Sequence, residues 1–109
     1  MSYDIWLQPV GYPDHDDGNW SQLAINYTYN AWRMFEAVSG GSLTDLHGAS
    51  TEEAASILEC AIIGMLVDEA EVRPLEPENG WGSYDGFLEY LRELHRRCAT
   101  APGMEVAVG

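Results

Sequence analysis

The sequence contains no lysine, and its entire basic complement is five arginines: Arg33, Arg73, Arg92, Arg96 and Arg97. Without lysine, the chain cannot form a Schiff base with a carbonyl substrate. It also cannot supply the lysine that P-loop enzymes and protein kinases place on phosphates. Enzyme classes that depend on a lysine are therefore excluded. Arginine without lysine, together with many Gly and Ala residues, is typical of a GC-rich genome.

Positive charge of any kind is scarce. Eighteen acidic side chains stand against the five arginines, so the formal net charge is −13. Such a surface repels phosphate, and we predict no direct binding to nucleic acid. The acidity either keeps a small protein soluble or complements a basic partner, such as the nucleic-acid site of another protein. Both interpretations stay open at this point.

Cysteines and long apolar runs are also few. Cys60 and Cys98 fall inside predicted helices without a C-x-x-C spacing, which favours reduced core thiols over a disulfide. The longest strongly apolar run, residues 61–67, is too short to span a bilayer. The opening residues lack the basic and apolar regions of a signal peptide. We therefore expect a cytoplasmic protein without membrane contact.

Known catalytic and metal-binding patterns are absent from the sequence. There is no H-E-x-x-H motif, no Gly-rich phosphate loop and no nucleophile elbow. The acidic stretch that begins at Asp14 fails as an EF-hand, because Gly18 takes the fifth position and no glutamate takes the twelfth. We predict a solvated loop there, no metal and no cofactor, and the sequence leans against an enzyme. The remaining histidines, His47 and His95, are isolated, so structural or solvated roles are favoured for both.

Alternating apolar residues predict three strands. The first covers residues 2–10 and the last covers 104–108. Residues 23–30 alternate most regularly, with an apolar or aromatic side chain at every second position: Leu23, Ile25, Tyr27 and Tyr29. We predict that this stretch is the central strand, with those four side chains in the core.

Apolar stripes at helical spacing predict three helices. The first is expected after an Asn30 cap and ends at Gly40. The second starts with a capping box at Ser50 and ends between residues 67 and 72. The third follows a Ser83 cap and reaches Cys98. The chain is thus predicted to be one α+β domain over residues 1–109, a three-stranded sheet with three helices on one face, in the order β-β-α-α-α-β.

The sheet face that points away from the helices is either a solvated face whose Trp6 is shielded by the loop at residues 11–19 or a recognition surface. Asn26 and Thr28 have no evident structural duty, and we place them beside Trp6 and Gln8 of the first strand. Asn30 joins them as a further candidate besides its predicted capping role. Trp81, between two glycines, either pins its loop to the core, which we favour, or stands exposed as a contact residue. The candidate binding residues are Trp6, Gln8, Asn26, Thr28, Asn30 and Trp81.

Several short segments resemble a group of small proteins of uncharacterised function from actinobacteria, their phages and prophages. They are Met-Ser-Tyr-Asp-Ile at 1–5, Asn-Tyr-Thr-Tyr-Asn at 26–30, Leu-His-Gly-Ala at 46–49 and Trp-Gly at 81–82. The Asn-x-Thr-Tyr-Asn element recurs in that group. The resemblance implies a phage or accessory-genome origin and brings no activity with it.

Two function hypotheses follow. The first is a small acidic non-enzymatic protein that acts by contact with a partner protein, with inhibition or imitation of nucleic acid as a sharper version. The partner would then carry a basic surface. The second is a small-ligand-binding protein or enzyme with a pocket around residues 26–30. The two open edges of a three-stranded sheet leave both monomer and homodimer open.

Overall fold

The fold is an α+β domain with a three-stranded antiparallel sheet, as predicted. The structure, a computed structural model, describes residues 2–11 and 20–109. The acidic stretch around Asp14 lies outside these residues, and so does the prediction made for it. In chain order the strands and helices are β1 (Ser2–Pro9), β2 (Ile25–Thr28), α1 (Trp32–Ser39), α2 (Thr51–Val67), α3 (Glu69–Val72), α4 (Tyr84–Ala99) and β3 (Met104–Val108). The single-turn α3 is the helix that the sequence pattern did not predict.

The central strand is β1, and the prediction that residues 23–30 form it was wrong. The strand order is β2-β1-β3, so β2 lies at an edge. The strand also stops at Thr28, whose hydroxyl accepts a hydrogen bond from the backbone N–H of Asn30 at 3.3 Å. This local bond starts a 3-10 turn over Tyr29–Ala31 and so competes with the extended conformation. Tyr29 consequently lies outside the strand and is exposed, and Leu23, in a 3-10 turn before the strand, is exposed as well.

The core forms where α2 and α4 pack together and cover one face of the sheet. Tyr3 and Ile5 of β1 are buried in the same cluster as Phe35 and Leu58 of the helices. Burying each such side chain contributes roughly 1.5–3 kcal/mol. The side chains whose helical spacing predicts α4 form its buried face, with Tyr90 in addition: Tyr84, Phe87, Leu88, Leu91, Leu94 and Cys98. His95, which belongs to the same spacing, is only half-buried.

The predicted helix caps at Ser83 and Gly40 are present, and of the capping box predicted at Ser50 only the hydroxyl half forms, since the Glu53 carboxylate makes no bond back to the Ser50 backbone among the described residues. The Ser50 hydroxyl accepts from the backbone N–H of Glu53 at 3.1 Å, and the Ser83 hydroxyl accepts from that of Gly86 at 3.0 Å. Gly40 ends α1 in the left-handed region, with φ 78°. Because each cap joins residues only a few positions apart, it can be predicted from the sequence.

The predicted Asn30 cap was wrong. Ala31 precedes α1 and makes no side-chain capping bond, because the 3-10 turn that Thr28 starts leads directly into the helix. A capping box that the sequence analysis did not predict lies at Ser42 and Asp45, where it begins a 3-10 turn over Leu43–Leu46. Leu43 and Leu46 anchor this connector in the core.

The two edges of the sheet differ. Residues 47–49 cover the outer edge of β3. There, Val106 accepts from Gly48 N–H and donates to the Ala49 carbonyl, both at 2.8 Å. Farther along the same edge, Val108 N–H donates to Nδ1 of His47 at 3.0 Å, which gives this histidine a structural role. Among residues 2–11 and 20–109, no group outside the sheet bonds the main chain of Asn26 on the outer edge of β2, so that edge is open within the described structure.

Candidate functional site

Four of the predicted site residues meet in one cleft beside the edge strand β2. The cleft has a volume of about 450 Å³. It is lined by Ser2, Asn26, Tyr27, Thr28, Asn30, Asn79 and Trp81. Its walls therefore offer amide and hydroxyl groups, with the Trp81 indole as the large apolar element. We call this space the β2 cleft.

The Tyr27 hydroxyl holds the second wall of the β2 cleft against the strand. It accepts from Ser83 N–H at 2.9 Å and donates to the Ser83 carbonyl at 3.2 Å. Gly82, with φ +101°, passes so close to β2 that an added Cβ would lie 2.7 Å from Cγ2 of Thr28. Only glycine combines that conformation with that approach. The cleft is therefore built by contacts between residues more than fifty positions apart in the chain.

Trp81 is exposed, so the prediction that it pins the loop to the core was wrong. Its side chain has 67% of its surface accessible. The loop is held instead by the Tyr27 hydroxyl and by the close approach of Gly82. The backbone N–H of Trp81 donates to Oδ1 of Asn79 at 3.0 Å, which fixes the turn that presents the indole. The indole of Trp81 is therefore open to solvent at the rim of the β2 cleft.

Two further depressions continue the β2 cleft along the surface. The next, of about 350 Å³, shares Asn30 and Asn79 with it and reaches Trp32. The third depression, of about 360 Å³, shares Trp32 with the second and reaches Tyr29. Trp32 and Tyr29 are 39% and 40% exposed. We call Tyr29, Trp32 and Trp81, with the depressions between them, the aromatic surface.

Sequence reasoning missed Trp32 and assigned Tyr29 to the core. A signal for Trp32 was present, because it lies off the buried α1 stripe formed by Met34 and Phe35. Tyr29 carried no such signal. It leaves the strand pattern only because the chain turns after Thr28.

Trp6 and Gln8 do not join this cleft. The register pairs Asn26 with Asp4 and Thr28 with Ser2, which corrects the expectation that Trp6 and Gln8 flank them. Trp6 and Gln8 lie opposite β3 instead. Trp6 Nε1 donates to the Gln8 side-chain oxygen at 3.1 Å, and Gln8 Nε2 donates to the Glu105 carboxylate at 3.3 Å. Gln8 is buried, so this chain of bonds has a structural role.

The charge along the aromatic surface is mixed. Arg33 lies over the Trp32 ring, with its guanidinium carbon 5.5 Å from the ring centroid. Glu76 and Glu78 line the same depression. Within residues 2–11 and 20–109, Arg33 is the arginine that makes no salt bridge, whereas Arg73, Arg92, Arg96 and Arg97 each pair with acidic side chains. Among the described residues, the Trp32 ring is therefore the contact recorded for its guanidinium group.

The β2 cleft presents amide, hydroxyl and aromatic groups, which can form hydrogen bonds and apolar contacts. Among the described residues, no cluster of three His, Cys, Asp or Glu side chains could hold a metal ion. Both cysteines are free, but only Cys98 is a core thiol; Cys60 is exposed, which corrects the prediction for it. Burial raises the pKa of the Cys98 thiol to about 11, so it stays protonated and unreactive near neutral pH.

Comparison with family models, curated proteins and solved structures finds no match to this chain. Its function is therefore argued from the surface itself. Within the described part of the chain, no helix is both long enough and apolar enough to cross a membrane.

Proposed function

We propose that this protein is a small acidic, non-enzymatic binding protein that contacts a partner protein through the aromatic surface. The carrying observation is that Trp81, Trp32 and Tyr29 are exposed on adjoining depressions. Large exposed aromatics cost solubility, and they are the side chains most enriched at the energetic centres of protein interfaces. A partner that covers them would explain their placement.

Charge indicates the kind of partner. The chain carries a formal charge of −13, and Glu76 and Glu78 lie in the middle of the aromatic surface. A basic surface would be attracted to it and would bind with a salt-dependent association rate. The proposal also includes a cytoplasmic setting and a phage or accessory-genome origin, which rest on the sequence and on the family resemblance.

The test is capture from the lysate of a GC-rich bacterium, with matched variants as bait. Wild type, Trp81→Ala and Val67→Ala are compared by quantitative mass spectrometry. Val67 is the control because it is a large apolar side chain on α2 that is 75% exposed. We expect proteins that are retained by wild type and by Val67→Ala and lost with Trp81→Ala. The same retained set on all three baits would overturn the proposal.

The nucleic-acid-mimic version makes a stricter prediction. Its partner would be displaced by duplex DNA, and binding would weaken steeply between 50 and 300 mM NaCl, because many charge contacts are screened together. Binding that is insensitive to salt would exclude this version while leaving contact through the aromatic surface intact.

A second candidate function is favoured by the polarity of the β2 cleft. Asn26, Asn30 and Asn79 bring three side-chain amides around one exposed indole, which suits a small polar ligand. Such a ligand would raise the melting temperature of the protein. A thermal-shift screen with metabolites and nucleotides on wild type and Asn26→Ala tests it. A rise in melting temperature that persists in Asn26→Ala would exclude the β2 cleft as the ligand site.

A further inference from the structure

We propose that the outer edge of β2 receives an extended segment of the partner protein as a fourth strand of the sheet. The inference rests on the proposed function and deepens it, because it states how the partner is held beside Trp81. It comes from the hydrogen bonding of the sheet, which leaves the outer edge of β2 open among the residues that the structure describes.

The sheet register shows which way the main chain of Asn26 points. Asn26 lies directly opposite Asp4 of β1. Opposite residues of antiparallel strands either exchange two hydrogen bonds or exchange none. The Asp4 carbonyl accepts from Gly109 N–H, on the β3 side of the sheet, at 2.8 Å. Asp4 and Asn26 are therefore a non-bonded pair, and the N–H and C=O of Asn26 point to the outer edge.

The outer edge of β3 has hydrogen-bond partners of a kind that the described residues do not provide for the outer edge of β2. Along β3, both outward groups of Val106 and the N–H of Val108 are bonded by residues 47–49. Among the described residues, no group outside the sheet is bonded to the Asn26 main chain, and Asn26 is exposed. A row of outward N–H and C=O groups is a template for another strand. The open edge is therefore able to pair with a second chain.

The β2 cleft supplies the specificity that the main chain cannot. Strand addition uses main-chain bonds for affinity and pockets for alternate side chains. Asn26 and Thr28 of the edge line the β2 cleft together with Trp81. A strand paired with β2 would place one of its side chains in that cleft against the exposed indole. Edge and cleft thus form one continuous site.

Charge selects a partner segment over a second copy of this chain. Two copies meeting edge to edge would bring formal charges of −13 together, with Asp4 next to Asn26 in each sheet. Like charges across such an interface oppose pairing. A segment that carries lysine or arginine gains from Asp4 and from Glu78, which lies in the adjoining depression. The occupant we propose is therefore an extended basic peptide segment.

The first test uses peptides on the wild-type protein. A phage-displayed library of linear dodecapeptides is selected on it, and the best binder is synthesised with N-methyl groups on alternate residues, in each of the two possible registers. Both peptides carry the same charge. Strand addition predicts that one register weakens binding by about tenfold or more, since several amide donors are lost, while the other stays within about twofold. Equal effects in both registers, or no selected binder, would overturn the inference.

The second test separates this inference from the proposed function. Asn26→Pro removes the outward N–H, and proline is tolerated at edge positions whose N–H faces solvent. We expect a melting temperature close to that of wild type and loss of the captured partners. Partners lost with Trp81→Ala but kept by Asn26→Pro would overturn strand addition alone. Partners kept by both would overturn the proposed function as well.

A third possible outcome is that the outer edge of β2 pairs with a second copy of this protein. Concentration-dependent dimerisation of wild type that disappears in Asn26→Pro, measured by sedimentation, would assign the edge to self-association and overturn the inference. If Asn26→Pro failed to fold, the N-methyl peptides would still decide, because they are measured on wild-type protein.

Discussion

The Tyr3 hydroxyl is buried without a hydrogen-bond partner among the described residues. The ring packs on Tyr29, with centroids 5.2 Å apart, and burial raises the pKa of Tyr3 to about 12. A buried hydroxyl without a partner costs about 1–3 kcal/mol. We therefore expect Tyr3→Phe to leave the free energy of unfolding unchanged or to raise it by up to about 1 kcal/mol. Urea unfolding followed by far-UV circular dichroism measures this.

Tyr84 provides the control, because the same change removes a made bond there. Its hydroxyl donates to the Met65 carbonyl at 2.5 Å inside the core. Its ring also lies beneath the Arg73 guanidinium, 4.2 Å away, a contact that Phe would keep. Tyr84→Phe should therefore lower the free energy of unfolding by about 1–2 kcal/mol. Equal effects of the two substitutions would contradict this account of Tyr3.

At the residue scale, exposure was the property that sequence predicted least well. The burial of Met34 and Phe35 followed from helical spacing, because a stripe is a local pattern. Trp81 was predicted to be buried on general aromatic preference, and it is exposed because Tyr27, far away in sequence, holds the loop instead. No local pattern contains that bond. The sequence therefore identified Trp81 as a candidate site residue, but the burial that we predicted for it was wrong.

At the scale of elements, the start of α2 is tied to the turn before β3. The Glu52 carboxylate accepts from Gly103 N–H at 3.0 Å, and this bond is the main cause that lowers the pKa of Glu52. A carboxyl whose pKa is lowered by folding adds stability above its unfolded pKa, and the contribution is lost as pH falls through the folded value. Glu52→Gln should therefore destabilise the protein at pH 7, and the difference from wild type should shrink below about pH 4.5.

Glu53 is the matched control for this pH dependence. It lies in the same first turn of α2, and no described group bonds its carboxylate. Thermal unfolding of wild type, Glu52→Gln and Glu53→Gln between pH 3 and 7 makes the comparison. A loss at pH 7 that is as large for Glu53→Gln as for Glu52→Gln would assign the effect to the helix dipole and not to the bond with Gly103.

The helices were predictable and the edge strand was not, for a physical reason that Thr28 illustrates. Caps at Ser50 and Ser83 are formed within three residues of the chain, so sequence spacing reports them directly. The end of β2 is also local, but the Thr28 hydroxyl competes with an alternating pattern that favours continuation. A prediction from periodicity alone follows the alternating pattern, so it extended the strand to Asn30.

At the scale of the whole molecule, sheet order and the β2 cleft lie beyond sequence patterns. The fold class follows from the order of elements, and the structure has the predicted strands and three main helices. That β1 is central depends on which strands pair, and the pairing partners of β1 are about 20 and 100 residues away along the chain. The β2 cleft likewise needs residues 79–83 to return to β2. Such long-range contacts leave no mark on local spacing.

Net charge acts on the molecule as a whole and gives a final prediction. A formal charge of −13 on 109 residues repels itself in the folded state. Added salt shortens the Debye length from about 30 Å at 0.01 M to about 3 Å at 1 M. The exposed salt bridges of the arginines also weaken, but each contributes only about 0–1 kcal/mol.

We expect the melting temperature to rise by about 4 °C or more between 0.01 and 0.5 M NaCl. Glu59→Gln combined with Glu71→Gln removes two exposed charges and should reduce this rise in melting temperature. A melting temperature that falls with added salt would show instead that the salt bridges outweigh the repulsion.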